Sequence, residues 1–273
     1  MTWAQLEDCF HRSMALAFSK KKAMLAFPAL LLCGVLSVFC RAVAFDASDW
    51  VAMSLAFLPI LLSSGILLSL GVLLVRLYAH EAKKIALPLK KLFAGSADLI
   101  LGTLYLSLPP VLLYLLLWIV LGFFYLLRSI PGIGHLFSIV FAFGPFLLIL
   151  SSLLLCFFNL LLLFFVTPAV AMEPLKRASA AQRITSFLKG KLLTGLALFL
   201  VALIPIGLAV GFLSFAAYLT GLGLEQETES LGVALQWFFV MLPFAALLTP
   251  AVIFFFNFAA ESFWLLQRRS VPS

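Results

Sequence analysis

The stretch Thr167–Lys191, TPAVAMEPLKRASAAQRITSFLKGK, interrupts a chain that is 64% hydrophobic. It carries Lys176, Arg177, Arg183, Lys189 and Lys191 against one acid, Glu173, and apolar runs lie on both sides. A basic segment between two greasy runs reads as a connector held at a membrane surface, and its neighbours read as spans.

Composition extends that reading to the whole chain. With 11% charged residues, 29 Phe and a mean hydropathy of +1.20, this is no water-soluble domain, in which about a quarter of residues carry charge. Several apolar runs reach the roughly 20 residues a helix needs to cross about 30 Å of hydrocarbon. The alternating pattern of a membrane barrel is missing. The expected fold is all-α, with six spans at 23–44, 50–78, 97–127, 136–166, 192–219 and 231–266, the third broken at Pro109-Pro110. Short joints at 45–49, 128–135 and 221–230 are rich in Gly, Pro, Asp and Ser, so the spans pair as three hairpins.

Charge orients the hairpins. Sixteen of the 18 Lys and Arg fall in the N-terminal segment, the 76–96 and 168–191 connectors and the tail, whereas only Arg41 and Arg128 lie at or beside the hairpin joints. The positive-inside rule places both termini and both connectors in the cytoplasm of a bacterial inner membrane. The N-terminal run KKKAMLAFPALLLCGVLSVFCRAVA has some features of a cleavable signal, including Ala42-Val43-Ala44. Its apolar stretch is long for a signal and Arg41 interrupts the approach to the site, so it is expected to stay as the first span.

A basic segment of helical periodicity precedes each odd span. Trp3, Leu6, Phe10 and Met14 share one face of the first; Ile85, Leu89, Leu92 and Phe93 line up in the second; Ala180, Ile184, Phe187, Leu188 and Leu192 form the third stripe. Such helices are expected to lie at the headgroup level, the third covering about 178–188 once the chain leaves span four at Pro168. TPAV occurs at 167–170 and again at 249–252, and an acid followed by bases ends each even span at Glu81, Glu173 and Glu261. These echoes imply a pseudo-threefold parallel repeat, 1–84, 85–177 and 178–266, within one membrane domain covering 1–273.

The 167–191 segment resembles part of a poorly characterised bacterial family of six-span proteins, which includes the membrane domain attached to some glycerophosphodiester phosphodiesterases. Pro168, Glu173, Ala181, Arg183 and Lys189-Gly190 take the places of that family's pattern, while its Arg-Ser pair is absent because Ile184 follows Arg183. An Arg-Ser pair in a similar setting occurs at Arg12-Ser13. The match covers about 25 residues of the chain, with topology alone beyond them. The resemblance implies a fold and a lipid-associated role, and carries over no catalytic residue.

Chemistry-bearing motifs are scarce. No Gly-rich phosphate loop, HExxH or GxSxG occurs, and Cys9, Cys33, Cys40 and Cys156 show no CxxC spacing. His80 beside Glu81 reads as an interfacial pair and not a ligand set, because neighbours on a helix point in different directions. Arg41, Arg76, Asp98 and Glu261 stand near span ends, within reach of the interface. Asn159, Gln236 and Asn257 are the candidate intramembrane polar contacts. Lys84, Lys90, Lys91, Arg183, Lys189 and Lys191 are the candidate contacts for lipid headgroups, preferentially anionic, and the formal charge of +7 points to that partner before nucleic acid. Prolines in every span forecast bent helices, either around an apolar cavity that suits a lipid tail or irregularly packed without one. The expected function is non-catalytic and cofactor-free: a lipid-binding or accessory membrane protein, with a small transporter or channel, or a scaffold or partner subunit, as the alternatives.

Overall fold

The computed structural model of the protein describes residues 3–44, 49–83, 96–128, 143–172, 177–220 and 230–268. These form α1 (Trp3–Ala15), α2 (Lys20–Ala44), α3 (Asp49–Ala82), α4 (Ala97–Arg128), α5 (Gly144–Met172), α6 (Arg177–Leu219) and α7 (Ser230–Arg268). Each of α2 to α7 contains a stretch long and apolar enough to cross a membrane. The chain is a multi-pass integral membrane protein.

Cross-helix contacts fix the register. On α2 and α3, Lys22 meets Glu81 near one end of the pair. On α3 and α4, Arg76 bonds Ser96, Ser69 lies 3.5 Å from Thr103, and Tyr114 donates to the Ser54 carbonyl, so the two helices run antiparallel. Arg76 also reaches the Ala171 carbonyl of α5, and Tyr78 reaches Glu261 of α7. Thus α3, α5 and α7 run in the same direction and pack on one another. Each remaining span lies against two members of that trio: α2 on α3 and α7, α4 on α3 and α5, α6 on α5 and α7. Helix α3 is the most enclosed, with 67% of its apolar stretch buried against 17–33% for the other five.

Packing, rather than exclusion from water, must hold these helices together, because lipid tails are as apolar as Leu. Two glycines of α3 allow the closest approaches. A Cβ on Gly71 would meet the ring of Phe256 and, at 2.7 Å, Cγ2 of Thr167; one on Gly65 would lie 2.7 Å from Ser107 Oγ. Aromatic rings fill the opposite seam. Phe164 of α5 stands edge-on to Phe199 of α6 and Phe255 of α7, each with ring centroids 5.6 Å apart. Phe10 of α1 packs edge-on to Phe254 at 5.0 Å.

Three expectations about helix ends are corrected. Helix α4 runs through Pro109-Pro110 without a break. The two prolines remove donors to only two carbonyls, those of Tyr105 and Leu106, and a helix embedded among neighbours tolerates that loss. Helix α5 does not end at Pro168, which lies inside it, and continues to Met172. The basic segment after it does not form a separate short helix: α6 continues from Arg177 to Leu219, about 65 Å at 1.5 Å per residue. Nothing in 188–193, where Gly190 is the one weak former, stops a helix from propagating. The segment 85–93 lies outside the described residues.

Candidate functional site

Helix α1 stops at Ala15, and a tight turn through 16–18 leads to Ser19, whose carbonyl accepts the first bond of α2 from the Ala23 amide. Lys20, Lys21 and Lys22 follow at successive steps of about 100° around the helix, so the three ammonium groups leave in three directions. Lys20 and Lys21 are exposed, and Lys22 is fully buried.

The buried ammonium lies 2.8 Å from Glu81 Oε2 and donates to Asn257 Oδ1 at 3.1 Å and to the Leu16 carbonyl at 3.5 Å. It also sits 4.7 Å from the centroid of the Tyr78 ring, a cation–π contact that strengthens with desolvation. Every surrounding element is tied in. Ser19 Oγ donates to the other Glu81 oxygen at 3.4 Å, Asn257 Nδ2 donates to the Ser13 carbonyl at 3.2 Å, and Tyr78 Oη donates to Glu261 Oε1 at 2.7 Å. The network joins α1, α2, α3 and α7 at one end of the bundle. Its members polarise one another in a low-dielectric setting, where partial satisfaction would be costly.

Its electrostatics favour holding over chemistry. Lys22 is an ion-paired ammonium, not a free amine. Cys9, buried on α1, has its thiol pushed up to about 11, first by burial and then by the Glu261 carboxylate. A thiol of that character is a packing group, not a nucleophile. Among the described residues, no three His, Cys, Asp or Glu side chains gather as a metal set.

Arg76, expected near the interface, bonds Ser96 Oγ at 2.8 Å and the Ala171 carbonyl in the last turn of α5 at 3.3 Å. It therefore caps a helix end whose carbonyls lack intrahelical donors. His80 Nδ1 stands 2.7 Å from the Arg76 carbonyl while Glu81 turns to Lys22, so the two neighbours face different partners. Arg41 stacks over the Trp237 ring at 4.2 Å, at the far end of α2.

The sequence candidates divide accordingly. Asn257 belongs to the Lys22 network, Gln236 is exposed, and Asn159 is buried with Oδ1 lacking a hydrogen-bond partner among the described residues. Lys84, Lys90 and Lys91 lie outside the described residues, as do the side chains of Arg183, Lys189 and Lys191. Sequence reasoning missed Lys22, Glu81 and Tyr78 as one site, because it set the whole lysine run at the surface. The available signal was geometric: three consecutive lysines on a helix cannot all face away from a bundle.

No protein-family model, curated protein or solved structure matches this chain. Its function must be argued from its own residues.

Proposed function

We propose that this chain is a non-catalytic, lipid-associated accessory protein of a bacterial cytoplasmic membrane, with both termini in the cytoplasm, that retains anionic lipid at the α1 end of its bundle. The carrying observation is the division of the lysine run: Lys22 is neutralised inside by Glu81, while Lys20 and Lys21 stay exposed. They cap a stripe of α2 that runs through Met24, Leu32, Phe39 and Val43, all exposed large hydrophobics. Bases at the head of an apolar stripe sit at headgroup phosphates, each adding about 1 kcal/mol near an anionic leaflet. Exposed Arg12 and Lys83 extend the same basic rim.

The pseudo-threefold repeat is part of this reading. Its support is the cyclic order in which each odd span lies between its own hairpin partner and the preceding one. The test is native mass spectrometry of the purified protein with phosphatidylglycerol and phosphatidylethanolamine. The wild type should retain phosphatidylglycerol preferentially, and Lys20→Gln with Lys21→Gln should lose that preference with the fold intact. Equal retention by both proteins would defeat the reading.

A further inference from the structure

Asn159 stands at the midpoint of the span 146–172 and is 3% exposed, with an amide oxygen that has no hydrogen-bond partner among the described residues. An unpaired polar atom is costly in hydrocarbon, and polar groups in a span are retained where they serve a purpose. The register identifies what lies level with it. Gly71 of α3 abuts Thr167 of α5, and Arg76 meets the Ala171 carbonyl. Counting back equally along these two parallel helices brings Asn159 level with Ser63 and Ser64. Ser64 lies two turns before Gly71 on the same helix face, the one turned to α5. On α4, Ser107 comes up against Gly65, at that same level.

Ser64 and Ser107 are buried, and each donates its hydrogen to a carbonyl of its own helix, Leu61 at 2.6 Å and Leu104 at 2.7 Å. Their oxygen lone pairs remain as acceptors. Two turns away on α5, Ser152 Oγ is also buried with no hydrogen-bond partner among the described residues, as is Thr167 Oγ1 towards the α1 end. A guest at this level must donate to Asn159 Oδ1 and to hydroxyl oxygens, and must be uncharged, because no Asp, Glu, Lys, Arg or His stands at this level among the described residues. A lipid tail is uncharged but has no hydrogen to donate, and water meets every requirement.

We propose that Asn159, Ser64 and Ser107 form an intramembrane hydration site at mid-bilayer, with water as its ligand. The test is water-to-protein magnetisation transfer in solid-state NMR of the full-length protein in liposomes, with the Asn159 side-chain amide assigned in the wild type. Transfer should build up several-fold faster at Asn159 than at the backbone amides of Leu155 and Leu163 on the same helix. Build-up as slow as at those residues would overturn the site. In Ser64→Ala with Ser107→Ala, checked by unchanged α3 backbone shifts, build-up at Asn159 should fall at least twofold. An unchanged rate there would overturn the three-helix assignment.

Discussion

The ammonium of Lys22, with no solvent exposure, lies 2.8 Å from a Glu81 carboxylate whose side chain keeps 24% of its surface exposed. The pair is therefore asymmetric. Removing the acid strands a charge in the interior, whereas removing the base leaves an acid that water can reach. Breaking a pair so that a buried charge is left uncompensated costs about 3–5 kcal/mol. Glu81→Gln should accordingly lower the thermal midpoint in detergent much more than Lys22→Met, although both delete the same bridge. Equal shifts, or the reverse order, would show that Asn257 and the Tyr78 ring can hold Lys22 without the carboxylate.

Gly71 makes a steric prediction. A methyl group there must displace the Phe256 ring and Thr167 together, and overpacking of this kind costs about 1–3 kcal/mol. Gly71→Ala should lower the thermal midpoint clearly. Gly207→Ala, where a Cβ meets nothing within 4 Å, should be neutral or gain up to about 1 kcal/mol from helix propensity. Matching effects at the two glycines would contradict the α3–α5–α7 packing.

Cys9 gives a pH dependence. Its thiol is held at about 11 by burial and by Glu261, above the ordinary thiol value of 9.0. Between those values the unfolded chain has lost a proton that the folded chain keeps, so this group's contribution to stability falls as pH rises. In a variant with Cys33, Cys40 and Cys156 replaced by Ser, maleimide labelling at neutral pH should be at least tenfold slower than for an exposed cysteine. Adding Glu261→Gln should speed it. Labelling of Cys9 at the rate of a free thiol would mean that α1 does not stay docked on α7.

Orientation is tested separately. Reporter fusions at Ser48 and Glu227, in the acidic hairpin joints, should report from outside the cytoplasm, and fusions at the C-terminus from within. A cytoplasmic signal at either joint would invert the topology, and with it the leaflet assigned to Lys20 and Lys21.

Span existence was legible because the bilayer imposes one crude requirement, about 20 apolar residues per helix, which the runs flanking Thr167–Lys191 meet. Helix ends were less legible. Pro109-Pro110 and Pro168 read as breaks because each removes a backbone donor, yet neighbouring helices keep the chain helical through them. Of the candidate polar contacts, Asn257 and Asn159 are buried but Gln236 is not. An amide in an apolar run has no periodic signature that says which way it faces.

By itself, the sequence determined the solvent, the helical class and the number of long apolar spans, because those depend on local composition and length. Which helix lies at the centre depended on tertiary packing. So did the inward turn of Lys22 while Lys20 and Lys21 stay out, and the meeting of Tyr78 with Glu261 across 183 positions of chain. Those outcomes follow from the rotational phase of each helix against its neighbours. That phase is set by close approaches such as Gly71 on Thr167 and Phe256, contacts between residues that no local pattern links.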